Sequence, residues 1–131
     1  MGILGPFFSN RKQGDNPAGG GVSWILLRDE SQIGELSRNS FQRTQLIYKH
    51  STTCGISSMI RRMLETLLAP YQTDADCYFV ELPRFREVSR KVAEDFQLRH
   101  ESPQLLIIRN GKVVAHESHG AIAEMDFAGQ L

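Results

Sequence analysis

Cysteine is scarce: the 131 residues hold two, Cys54 and Cys77. Small secreted domains stapled by disulfides carry more of them, so the chain reads as a protein of a reducing compartment, the cytoplasm. No group of cysteine and histidine has metal-ligand spacing. No apolar run is long enough to span a bilayer, which argues against a membrane protein. Neither sign of charge is in excess, because 15 basic and 15 acidic residues cancel. Nothing therefore draws the whole surface toward nucleic acid. The opening "MGILGPFF" has no basic lead and no small-residue cleavage site, which argues against a secretory signal. Pro6 stands where a myristoylation motif needs Ser or Thr.

What is present suits one folded domain with a real core. Residues 1–21 are expected to be a tail and flexible linker, since "SNRKQGDNPAGGG" is polar and rich in Gly, Asn and Pro. The domain is expected over residues 22–131. "VSWILL" predicts a strand over 22–27. Asp29 offers an N-cap, and Ile33, Leu36 and Phe41 mark a helical face. "TQLIYKH", 44–50, has the β-branched and aromatic content of a buried strand. Ile56, Met59, Ile60, Met63, Leu64, Leu67 and Leu68 keep the three-and-four rhythm of one helix, which Pro70 ends. "ADCYFVEL", 75–82, predicts a third strand, and Pro83 suits the start of a helix carrying Phe85, Val88, Val92 and Phe96. Two strand-like runs flank Asn110-Gly111, the preferred pair for a tight hairpin. A last helix is expected over 121–127. Alternating strands and helices imply parallel pairing with helices on both faces. The hairpin makes the sheet mixed, in an α/β fold.

The chemistry converges on "KHSTTCGISSM", residues 49–59, where Cys54 lies between a strand and a helix. Only a thiolate attacks a disulfide. The first turn of a helix favours an anion through its unpaired N–H groups and dipole. Thr53 is the expected N-cap, and Gly55 leaves room for an approaching backbone. Ser57 stands where a second cysteine would close a dithiol motif; it can donate a hydrogen bond to sulfur but cannot form a disulfide. Lys49 and His50 precede the loop. They either add positive charge beside the thiol or are a solvated lysine and a packed histidine. Cys77, mid-strand among Tyr78, Phe79 and Val80, reads as an inert core residue. Ser102 and Pro103 open the hairpin; periodicity alone favours an ordinary trans proline opening an edge strand, whereas a cis proline there would let Ser102 offer backbone groups to a bound peptide or small thiol.

The cysteine turn, the element order and "FQLRHESPQLLIIRNGKVV" together resemble the thioredoxin fold from about residue 22 to 127. Within that superfamily, "KHSTTCGIS" with "RHESPQ" most resembles the monothiol bacilliredoxins, the bacillithiol-linked general stress proteins. The resemblance implies Cys54 as the attacking thiol and Pro103 as the cis proline beside Ser102. It implies S-thiolated client proteins as partners and a low-molecular-weight thiol, bacillithiol or glutathione, as co-substrate, with no other cofactor and no metal. Gly55 departs from the proline common in that family. "CGIS" is also similar to the "CGFS" box of monothiol glutaredoxins, which bind an iron–sulfur cluster with glutathione. "SHGAIAEMD" lacks the adjacent Gly-Asp pair by which those proteins hold glutathione. A non-catalytic thioredoxin-like binding module is the third alternative.

Overall fold

Three parallel strands and an antiparallel hairpin build one five-stranded sheet in the computed structural model, which describes residues 21–131. The expected tail and linker therefore lie outside the described residues, apart from Gly21. Along the chain come β1 (Trp24–Leu26), α1 (Ser31–Asn39), β2 (Thr44–Ser51), α2 (Gly55–Leu68), β3 (Ala75–Leu82), α3 (Arg86–Asp95), β4 (Gln104–Arg109) and β5 (Lys112–Ser118). The sheet order is β1-β3-β2-β4-β5. β1 and β2 run parallel to β3, while β4 is antiparallel to both β2 and β5. This is the mixed α/β sheet expected from the alternation and the hairpin.

Strand periodicity divides the core in two. On one face Trp24, Leu46, Tyr48, Phe79, Leu105 and Ile107 pack against Ile60, Leu64 and Leu68 of α2. On the other, Ile47, Tyr78, Val80, Leu106 and Ile108 pack against Ile33 and Leu36 of α1 and Val88 and Val92 of α3. Covering both faces of β2 and β3 explains why those segments read as continuous apolar runs.

Four local expectations change. Phe41 lies beyond the end of α1 and is exposed; its ring instead covers the hairpin turn, where a Cβ on Gly111 would come within 3.1 Å of it. Asn110 and Gly111 have φ of 53° and 77°, the left-handed pair of a tight hairpin. Their N–H groups donate to Ser40 O at 2.9 Å and Ser40 Oγ at 2.8 Å, fastening the turn to the end of α1. Glu30 is the N-cap of α1, although the Asp29 carboxylate still accepts the Ser31 N–H at 3.2 Å. Pro83 does not start α3. Its peptide bond with Leu82 is cis, and the helix begins three residues later at Arg86. The last segment is not an α-helix over 121–127 but a 3-10 helix, His119–Glu124, anchored by its one buried side chain, Ile122.

Trp24 links this packing to α2, its indole N–H donating to Glu65 Oε2 at 2.7 Å in the interior. Replacing Trp24 with Phe strands a buried carboxylate oxygen. A stability loss of about 1–3 kcal/mol is expected beyond the lost ring area, measured by urea unfolding.

Candidate thiol site

Cys54 is the residue immediately before α2, with extended backbone (φ −117°, ψ 116°), and it is partly exposed. Its N–H donates to Ser51 O at 3.3 Å, and its carbonyl accepts the Ser57 N–H at 3.1 Å. The sulfur thus stands at the helix end where unpaired N–H groups favour negative charge. Thr53 is not the cap: Cys54 occupies that position, the helix has no side-chain cap, and Thr53 Oγ1 lies 3.2 Å from Ser51 Oγ instead. A Cβ on Gly55 would meet nothing within 4 Å. No neighbour within the described fold needs a glycine there, and the face beside the thiol is open.

Ser57 turns inward. It is fully buried, and its Oγ accepts the Ser51 N–H at 3.4 Å. Among the described residues it makes no hydrogen bond to sulfur. Tyr48 locks the same turn from below by donating its phenol O–H to Ser57 O at 2.8 Å. Burial pushes the Tyr48 phenol up, opposed by Arg61 and reinforced by nearby Cys54, so it remains a neutral donor. Tyr48 and Arg61 went unnoticed in the sequence. Period-two alternation in "TQLIYKH" was the available signal for Tyr48, since it puts Tyr48 and His50 on the face that α2 covers.

His50 is the packed histidine of the second alternative, whereas Lys49 fits neither. His50 packs its ring 5.1 Å from that of Phe79 and 5.8 Å from that of Tyr48. Burial first, and then Arg61, push it down to about 4, so it is neutral at pH 7. Lys49 is not solvated: its side chain is fully buried, and burial lowers its pKa to about 8. It sits on the opposite face of β2 from Tyr48 and His50, so it does not border the thiol. Cys77 lies in the core of β3, and burial, with Asp76, pushes its thiol up to about 12.

Proline turns stand on both sides of the cysteine loop. The Ser102-Pro103 peptide is cis, and Pro103 is buried. Lys49 pairs with Gln104, so the next step along the antiparallel register sets Pro103 beside His50, four residues before Cys54. Ser102 Oγ is buried with no hydrogen-bond partner among the described residues. On the other side, Thr52 N–H and Oγ1 both donate to Leu82 O, at 2.9 and 3.0 Å, just before the cis Pro83. Nothing in the composition distinguished Pro83 from a helix-starting proline.

Fold and site together define a thioredoxin-fold thiol-redox protein. More narrowly, the chain belongs to the monothiol bacilliredoxin BrxC family, which it matches over residues 25–127. A solved structure described as having a thioredoxin fold is 28% identical, with a TM-score of 0.64, covering 76% of this chain and 92% of that one. Thioredoxin from Trypanosoma brucei brucei is 16% identical with a TM-score of 0.64, covering 82% of this chain and 88% of its own. The thioredoxin pre-protein of Schistosoma mansoni is 21% identical with a TM-score of 0.60, covering 76% and 88%. The last two show the fold. Among the described residues, no helix is long and apolar enough to cross a membrane.

The Lys49 shift has a measurable sign. Its pKa falls from the ordinary 10.5 to about 8 on folding. Between those values the unfolded chain holds more protons, so stability rises with pH across the window. At about 1.4 kcal/mol per unit, the gain is on the order of 3 kcal/mol. Urea unfolding across this range should show that slope in the wild type and lose it in Lys49→Met.

Proposed function

We propose that the protein removes a low-molecular-weight thiol from S-thiolated client proteins through Cys54. The Cys54 thiolate attacks the small-thiol sulfur of a client mixed disulfide. A new disulfide joins Cys54 to the small thiol, and the client cysteine departs as thiolate. A second small thiol then attacks that disulfide, releasing the oxidised thiol dimer and restoring Cys54. Bacillithiol is the favoured co-substrate, in line with the family; glutathione is the alternative. The reaction suits a reducing compartment such as the cytoplasm, and in this reading it resides in residues 22–131.

One observation carries the reading: a partly exposed thiol at the start of α2 has a buried serine one turn on, where a resolving cysteine would stand. Cys77 is held in the core on β3 and is a poor candidate to resolve it. Resolution therefore falls to an external thiol. The open space around Gly55 leaves room beside the thiol for the incoming disulfide.

The test is transfer by mass. Reduced protein is mixed with a bacillithiol-capped client and, separately, a glutathione-capped one. The expected product carries one small thiol on Cys54, and Cys54→Ser gives none. Absence of transfer from both clients would leave a binding module as the better description. Anaerobic reconstitution with iron, sulfide and glutathione yielding a coloured, Cys54-dependent dimer would instead favour cluster carriage.

A further inference from the structure

Lys49 poses a physical problem that the thiol chemistry leaves unused. Its side chain is fully buried, and among the described residues no carboxylate lies within ion-pair distance of it. Burying an ammonium is costly, and a hydrocarbon side chain of similar length would avoid that cost. A lysine supplies what a hydrocarbon cannot: directed N–H donors. Both acceptors lie outside β2. Lys49 Nζ donates to Ser89 O of α3 at 3.3 Å and stands 3.3 Å from His100 Nδ1. An ammonium only donates, so Nδ1 is the acceptor and the His100 proton sits on Nε2. Ser89 Oγ lies 3.0 Å from the same nitrogen.

His100 belongs to the segment that carries Ser102 and Pro103. That segment is fastened at successive residues. Gln104, the register partner of Lys49, donates its Nε2 to Arg99 O at 3.0 Å. His119 Nε2 lies 3.4 Å from Glu101 Oε1, and the His119 N–H donates to Pro103 O at 2.9 Å. The inner attachments, at residues 99 and 100, both originate at the paired end of β2 and β4. Five residues beyond Lys49, β2 has delivered Cys54.

We propose that Lys49 and His100 are positioning residues for thiol exchange: the contact between buried Lys49 and the surface residue His100 sets the Ser102-Pro103 backbone against Cys54, so that a bound mixed disulfide meets the sulfur in line. The proposal rests on the exchange reading above. Neither side chain touches the reacting atoms. Misplacement of a substrate-binding group by about 1 Å is enough to cost about a hundredfold in rate. Loosening the contact therefore leaves the thiol's own reactivity alone and spoils the presentation of the disulfide.

The experiment compares two rates in the full chain. One is alkylation of Cys54 by iodoacetamide, which does not use the proline segment. The other is transfer from a bacillithiol- or glutathione-capped peptide. Lys49→Met keeps length and removes the donors. His100→Leu removes the acceptor, and His100→Asn returns an oxygen near the place of Nδ1. Lys49→Met and His100→Leu are expected to slow transfer by about 10- to 100-fold with a raised KM, while alkylation stays within about twofold. His100→Asn should recover part of the loss; should His100→Leu fail to fold, Lys49→Met and His100→Asn decide. Folded variants that transfer at the wild-type rate overturn the proposal, as does an equal fall in alkylation. A wild type that transfers nothing from either peptide overturns the exchange reading itself, and the proposal with it.

Discussion

Strand β2 is paired along both edges, parallel to β3 and antiparallel to β4, and the site depends on that double pairing. A strand held on both sides cannot slide without turning every side chain to the wrong face. Tyr48 and His50 are thereby kept toward α2, and Lys49 toward α3. The C-terminal end of the strand then has one possible place to release the cysteine loop, between the two proline turns of its neighbours. Parallel α/β sheets gather their chemistry at this edge because the helices that follow the strands begin there.

The polar groups around β2 divide the work by face. On the α2 side, Tyr48 holds Ser57 O and Ser57 Oγ takes the Ser51 N–H, so the first turn of α2 is built from hydrogen bonds that leave the sulfur at its mouth. A second cysteine at position 57 would sit in this interior network. On the α3 side, Lys49, Ser89 and His100 meet beneath the proline segment. The cysteine loop and the proline segment are thus braced from opposite faces of one strand.

Much of the fold was legible because its signals are local. The apolar rhythm of 56–68, the strand runs at 44–50 and 75–82, and Asn110-Gly111 each name their element without help from the rest of the chain. Failures came where a local signal had two meanings. Pro83 suits a helix start or a cis turn, and Phe41 a helix face or a lid on a hairpin. Thr53 has the chemistry of a cap, yet the chain placed Cys54 in that position. Lys49 looked like either a solvated residue or a partner of the thiol, because nothing in one sequence reveals that α3 and the segment at His100 close over it.

The amino-acid order by itself determined a mixed α/β domain, a single cysteine at a strand-to-helix turn, and a proline opening the final hairpin. These follow from periodicity, turn chemistry and the spacing of neighbouring residues. Tertiary structure decided which groups surround that cysteine: Tyr48 beneath it, Ser57 turned inward, Pro83 and Pro103 on either side. It also placed the Lys49 ammonium against Ser89 and His100, on the face of β2 away from Tyr48 and His50. Those relations join residues tens of positions apart, and only the pairing of β2 with β3 and β4 brings them together.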